Sequence, residues 1–160
     1  MNNKAALNLL VILSAIALSF AYFVEFILGH EPCNLCKIER MPYIGTIIFG
    51  SLLIFINKWE KIILLLILFL FLFGSVISVY HVGIEQDIFS ESLLCELGIN
   101  TNILTTEELL KDLAKAPISC KDVTFSIFGL SLATFNAVFS IIISYILLKK
   151  IIKKWLKQIK

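Results

Sequence analysis

Four long apolar stretches constrain this chain more than any other feature. A transmembrane helix needs about 20 mostly apolar residues, because its backbone polar groups must be satisfied within the segment once water is excluded. Residues 5–28 form the first stretch, broken only by Glu25. Residues 41–56 form the second and shortest, with Tyr43 and Trp59 near its ends, where interfacial aromatics collect. Residues 62–84 and 123–148 contain no Asp, Glu, Lys or Arg. Only 16% of the chain is charged, against about a quarter in an ordinary soluble domain. The expectation is one domain over residues 1–160, an all-α membrane protein built as a bundle of four transmembrane helices. Lys4, followed by an apolar run with small Ser19 and Ala21, also fits a cleaved signal peptide. The run continues to Leu28, and that length favours a retained helix.

Charge placement sets the orientation, because Lys and Arg concentrate on the cytoplasmic side. Lys4 precedes the first stretch, Lys58 and Lys61 lie between the second and third, and Lys149, Lys150, Lys153, Lys154, Lys157 and Lys160 follow the fourth. With four spans all of these share one side. Residues 30–40, on the other side, are formally neutral, and residues 85–122 hold eight acidic residues against three lysines. Both termini are therefore expected in the cytoplasm and both longer loops outside. Within the second loop, Thr105-Thr106-Glu107-Glu108 resembles a capping box, with Leu109, Leu110 and Leu113 at helical spacing. A short amphipathic helix on the membrane surface is expected there.

Charge alone thus places all four cysteines outside, where disulfides persist. Cys33-Asn34-Leu35-Cys36 is a Cys-x-x-Cys motif, a spacing that brings two sulfurs within bonding reach and often lowers the pKa of one thiol. Lys37 and Arg40 follow at once, and a helical turn would put Arg40 on one face with Cys36, where positive charge favours a thiolate. Cys95 and Cys120 lie apart in the second loop. A static structural disulfide remains an alternative for the first pair. A zinc site usually takes four Cys or His ligands. His30 is the only loop histidine near the first pair, so no metal is expected.

Two cysteine pairs outside a helix bundle suggest an electron relay. No Gly-x-Gly-x-x-Gly fingerprint serves a nucleotide, no Cys-x-x-Cys-His marks a covalent haem, and only two histidines exist for axial ligation. By elimination, a lipid-soluble quinone is the expected acceptor.

The chain also resembles the DsbB family, the bacterial thiol:quinone oxidoreductases of the inner membrane. The resemblance covers nearly the whole chain. It rests on Cys33-Asn34-Leu35-Cys36-Lys37-Ile38-Glu39-Arg40 with Met41-Pro42-Tyr43, and on Tyr80-His81-Val82-Gly83-Ile84-Glu85. Cys95 and Cys120 follow, then Phe128-Gly129-Leu130-Ser131-Leu132-Ala133 and Asn136, expected in the fourth helix. It implies disulfide bond formation by a cascade. The thiolate of a periplasmic thioredoxin-like, DsbA-like oxidase attacks Cys95 and releases Cys120. Cys120 then attacks Cys33, and Cys36 is freed beside ubiquinone or menaquinone.

The resemblance makes Cys33, Cys36, Cys95 and Cys120 catalytic, with Arg40 and His81 as quinone contacts. His81 at a helix boundary facing water is an equal reading, whereas an interfacial, snorkelling Arg40 is the lesser one beside its quinone contact. Glu39 is expected to pair with Lys37 or cap a helix, Glu25 to reach water, and Gly74, Ser75 and Ser78 to allow close helix packing. Two rivals remain. A vitamin K epoxide reductase-like protein would carry its Cys-x-x-Cys late in the chain, not early. A non-enzymatic membrane protein with static disulfides would need no reducible pair.

Overall fold

A computed structural model describes residues 3–55, 59–91, 95, 119–123 and 125–159. Helix α1 (Asn3–Phe26) leads to a short helix α2 (Asn34–Ile38) and then to α3 (Met41–Phe55) and α4 (Glu60–Glu85). A two-stranded hairpin, β1 (Ser126–Ile127) and β2 (Leu130–Ser131), precedes the last helix α5 (Leu132–Ile159). Among the described residues three helices are long and apolar enough to cross a membrane, over Leu7–Phe26, Glu60–Glu85 and Leu132–Lys153. Helix α3 has 15 residues, about 22 Å at the helical rise, and falls short of that length within the described residues. The expected amphipathic helix near Leu109 lies outside them.

Two helix boundaries differ from expectation for local reasons. Helix α1 stops at Phe26 instead of running to Leu28 because Gly29 adopts φ +73°. This left-handed turn lets His30 N–H donate to Val24 C=O at 3.2 Å, closing the helix end. Helix α5 begins at Leu132, well after residue 123, and continues past residue 148. Phe128 (φ 52°) and Gly129 (φ +81°) form the hairpin turn, both with the positive φ that a tight two-residue turn demands. Ser126 and Ile127 therefore pair with Ser131 and Leu130, and the stretch from Phe128 to Ser131 is hairpin instead of helix.

Helix α4 packs on both α3 and α5, and α3 also packs on α1. Their shared core holds Leu10, Leu18, Tyr43, Ile67, Phe71 and Ile143. Large apolar side chains such as Ile16, Phe69, Val76 and Val138 stay exposed, as lipid-facing positions must. Gly74 allows a close crossing: a Cβ there would lie 2.7 Å from Pro42 Cγ, a rigid ring that cannot move aside. Gly74→Ala is expected to destabilise the protein, because overpacking costs about 1–3 kcal/mol and exceeds the gain in helix propensity of up to about 1 kcal/mol. Thermal unfolding in detergent checks this.

The elements run up and down, so the end of α1, the start of α3, the end of α4 and the start of α5 meet at one end. Contacts there confirm the meeting: Arg40 pairs with Glu25, His81 with Glu39, and Ser131 with Glu85. Lys61 and Lys149 lie at the opposite ends of their helices.

Candidate active site

Cys33 is the N-cap residue of α2, and its sulfur accepts a hydrogen bond from Cys36 N–H at 3.2 Å. The turn brings the two sulfurs to 2.7 Å. The two sulfurs are not joined in a disulfide, and Cys33 is buried and Cys36 half-buried. Behind them His81, on α4, is buried with its Nε2 3.5 Å from Cys33 Sγ. Its side chain is buried near the C-terminal end of α4, so the reading of His81 as facing bulk water is corrected.

Cys95 and Cys120 form a disulfide. It packs with Cys33, Leu35 and Ile84 in one buried cluster, with Cys36 against its side. All four expected cysteines are thus brought together, although 25 residues separate the second pair in sequence. Asn34 Nδ2 donates to Cys95 C=O at 3.0 Å, tying the two loops directly. The segment carrying Cys120 is held by Glu91, which accepts from the Ser119 hydroxyl and from Lys121 N–H. Lys121 also pairs with Asp87.

A carboxylate organises the rest. Glu39 caps the C-terminal end of α2 through its backbone N–H, which donates to Leu35 C=O at 2.9 Å, while its buried carboxylate turns elsewhere instead of to Lys37. It lies 2.8 Å from His81 Nδ1, and its other oxygen accepts from Asn136 Nδ2 at 2.9 Å. Asn136 Nδ2 also donates to Ser78 Oγ at 2.7 Å, and the Tyr43 hydroxyl donates to Asn136 Oδ1. Ser78 therefore holds polar partners as well as allowing close packing. Burial pushes the Glu39 carboxyl above its usual range, opposed by its hydrogen bonds from His81 and Asn136.

Arg40 is ion-paired at the rim of the site. Its Nη1 lies 2.5 Å from Glu25 Oε2, and its guanidinium sits 4.9 Å from the centre of the Tyr22 ring. Glu25 is therefore paired instead of reaching water. Positive charge from Lys37 and Arg40 is also not what lowers a thiol here. The hydrogen bond from Cys36, helped by His81, holds Cys33 down to about 5 against its burial. Cys36 is pushed up because it donates to the Cys33 sulfur and is itself buried. In the reduced protein, alkylation of Cys33 by iodoacetamide is therefore expected to rise with pH through an inflection near 5 and to stay flat above it. An ordinary thiol inflects near about 8.5. Rate profiles with mass-spectrometric assignment of the modified residue check this.

A cavity of about 540 Å³ opens beside the pair. Its wall is mostly apolar, with Leu13, Val24, Phe125, Phe135 and Phe139 prominent. Its polar lining comes from Cys33, Cys36, Glu39, Arg40, Tyr43, His81 and Asn136. Arg40 and His81 both contribute to that lining.

Comparison with known proteins agrees with this arrangement. The chain is 34% identical over 138 residues to an uncharacterised protein of Rickettsia prowazekii, covering 84% of this chain and 80% of that one. It is 23% identical over 153 residues to Disulfide bond formation protein B of Cupriavidus pinatubonensis, covering 96% of this chain and 95% of that one. The corresponding protein of Cupriavidus necator is 24% identical over the same length. No solved structure matches the chain significantly. The family model of Disulfide bond formation protein DsbB matches residues 3–149. With membrane-spanning helices, a disulfide packed against a Cys-x-x-Cys pair, and that match over nearly its whole length, the chain belongs to the DsbB family of disulfide bond formation proteins.

Proposed function

We propose that this inner-membrane protein is a protein-disulfide:quinone oxidoreductase that reoxidises a thioredoxin-like, DsbA-like dithiol oxidase. One observation carries the reading: the apolar cavity has Cys33, Cys36 and Arg40 in its wall, while the Cys95–Cys120 disulfide packs against that same cysteine pair. A quinone, when bound, accepts two electrons and two protons and leaves as quinol. Ubiquinone and menaquinone share that chemistry.

The chain's own residues perform the exchange. A partner thiolate attacks Cys95, the Cys95–Cys120 bond breaks, and Cys120 leaves as a thiolate. Cys120 attacks Cys33 of an oxidised Cys33–Cys36 pair, forming a bond between the loops and releasing Cys36. The partner's second thiol then displaces Cys95 and completes the partner's disulfide. Cys95 attacks Cys120, restores the second disulfide, and releases Cys33. A low-pKa thiol leaves faster, and Cys33 is the one held low. The net result is an oxidised partner and the Cys33/Cys36 dithiol. Arg40 orients and stabilises negative charge at the cavity wall, and His81 holds or gives a proton beside Cys33.

The same reading makes residues 1–160 one domain with four crossings. Helix α3 then serves as a short second crossing packed between α1 and α4, both termini are cytoplasmic and the cysteine loops are periplasmic. Labelling intact cells with an impermeant thiol reagent after reduction tests the topology. Protection of Cys95 and Cys120 would overturn it. For the chemistry, the reduced protein is mixed anaerobically with a soluble quinone analogue, and thiols and quinol are counted together. Two thiols lost per quinol formed is the expected result. Thiols that stay reduced in folded protein with both quinone types would remove the acceptor.

A further inference from the structure

We propose that Cys33, Cys36 and His81, when the pair is reduced, form a three-ligand site for a zinc-class metal ion that holds the dithiol out of oxidation. Zinc was discounted on the sequence because no loop histidine near the pair completed a ligand set. The fold supplies one from 48 residues away. The two sulfurs and a ring nitrogen of His81 lie within 4.8 Å of one another.

The distances suit the ion. Zinc binds sulfur at about 2.3 Å and imidazole nitrogen at about 2.0–2.1 Å, which makes the edges of a tetrahedron about 3.8 Å for sulfur–sulfur and about 3.5 Å for sulfur–nitrogen. The Cys33–His81 edge already measures 3.5 Å. The sulfurs, at 2.7 Å, must separate by about 1 Å, which a side-chain rotation of the half-buried Cys36 provides. His81 is also oriented as a metal ligand would be. Its Nδ1 is engaged by the Glu39 carboxylate, so its Nε2 faces the sulfurs. That carboxylate–histidine arrangement fixes the ring and raises its basicity toward a metal. The Cys36 N–H further supports the Cys33 sulfur as a thiolate.

Among the described residues three protein ligands converge, and all three line the cavity. The fourth position is therefore open to water, the pattern of reactive instead of structural zinc sites. Binding displaces whatever thiol protons remain, together with the Nε2 proton that His81 turns toward Cys33, and moves no electrons. The site exists only in the dithiol state, because a Cys33–Cys36 bond leaves no thiolate to bind. The binding step stands independently of the quinone reading, whereas the competition with oxidation rests on it.

The test uses full-length protein in detergent under anaerobic conditions, with cobalt(II) as the spectroscopic probe and zinc(II) as its competitor. Reduced protein should take up one equivalent of cobalt, with thiolate-to-metal bands in the near ultraviolet that zinc abolishes. Protein oxidised at Cys33–Cys36 should show none, a control that needs no substitution. A variant with serine at both Cys95 and Cys120 should bind as the native chain does. Glu39→Gln should weaken zinc about 10–100-fold, as loss of such a supporting carboxylate does elsewhere, and His81→Ala should weaken it further. Equal binding to oxidised protein, unchanged affinity in His81→Ala, or loss in the Cys95/Cys120 variant would each overturn the site. In a second arm, zinc should slow thiol loss to the quinone analogue in step with occupancy. Cobalt uptake without any quinone reaction would refute the quinone reading and leave the site standing. Quinone reaction without cobalt uptake would do the reverse.

Discussion

Cys36→Ser is expected to reduce quinol formation from the reduced protein to below detection while the fold and the Cys95–Cys120 bond persist. Two electrons must leave together as a disulfide forms, and a lone Cys33 cannot supply both through its neighbour. Serine is nearly the same size and occupies a half-buried position, so packing changes little. The matching control is a variant with serine at Cys95 and Cys120. It should still convert the chemically reduced first pair to a disulfide with quinone, but should no longer accept electrons from a protein dithiol. Together the two results divide the relay into a quinone half at Cys33 and Cys36 and a partner half at Cys95 and Cys120. Quinol counts and gel-shift assays of partner oxidation measure each half. Residual quinol formation in Cys36→Ser would move electron exit to another group.

What the sequence made legible was whatever depends on local pattern. Apolar runs located α1, α4 and α5 because a membrane segment needs an unbroken apolar length. The Cys-x-x-Cys spacing located the reactive pair, and charge asymmetry grouped the four cysteines at one end. The pairing of polar residues across helices was not legible. Glu39 neighbours Lys37 and Arg40 in sequence, yet its carboxylate is turned to His81 and Asn136 on α4 and α5. Glu25 and Arg40 are likewise joined across α1 and the start of α3. One signal was available: a carboxylate at a membrane boundary rarely stays buried without a partner, so Glu25 and Glu39 each called for a cation or donor. The hairpin before α5 was hidden because Phe128 to Ser131 is as apolar as the helix that follows it. Only Gly129 hinted at a turn.

Glu39→Ala is expected to cost about 3–5 kcal/mol, the usual penalty for removing one member of a buried charged pair. The methyl group satisfies neither His81 Nδ1 nor Asn136 Nδ2, both of which now meet the carboxylate inside the bundle. His81 Nδ1 loses the carboxylate it faces, and Asn136 Nδ2 loses one of its two acceptors and keeps Ser78. Unfolding of the variant in detergent checks the size of the loss. Stability alone would not separate a structural role from a functional one, and Glu39→Gln does so. Glutamine retains the shape and one acceptor, so it should preserve most of the stability. It cannot hold His81 as a carboxylate does, so the hydrogen bond from His81 to Cys33 weakens. The alkylation inflection of Cys33 should then move up from about 5. The direction follows from the chemistry of the pair: fewer or weaker donors to the sulfur favour the thiol over the thiolate, and reactivity is lost from the low-pH side first. An unshifted inflection in a stable Glu39→Gln protein would mean that Glu39 serves the fold alone, and that Cys36 by itself sets the reactivity of Cys33.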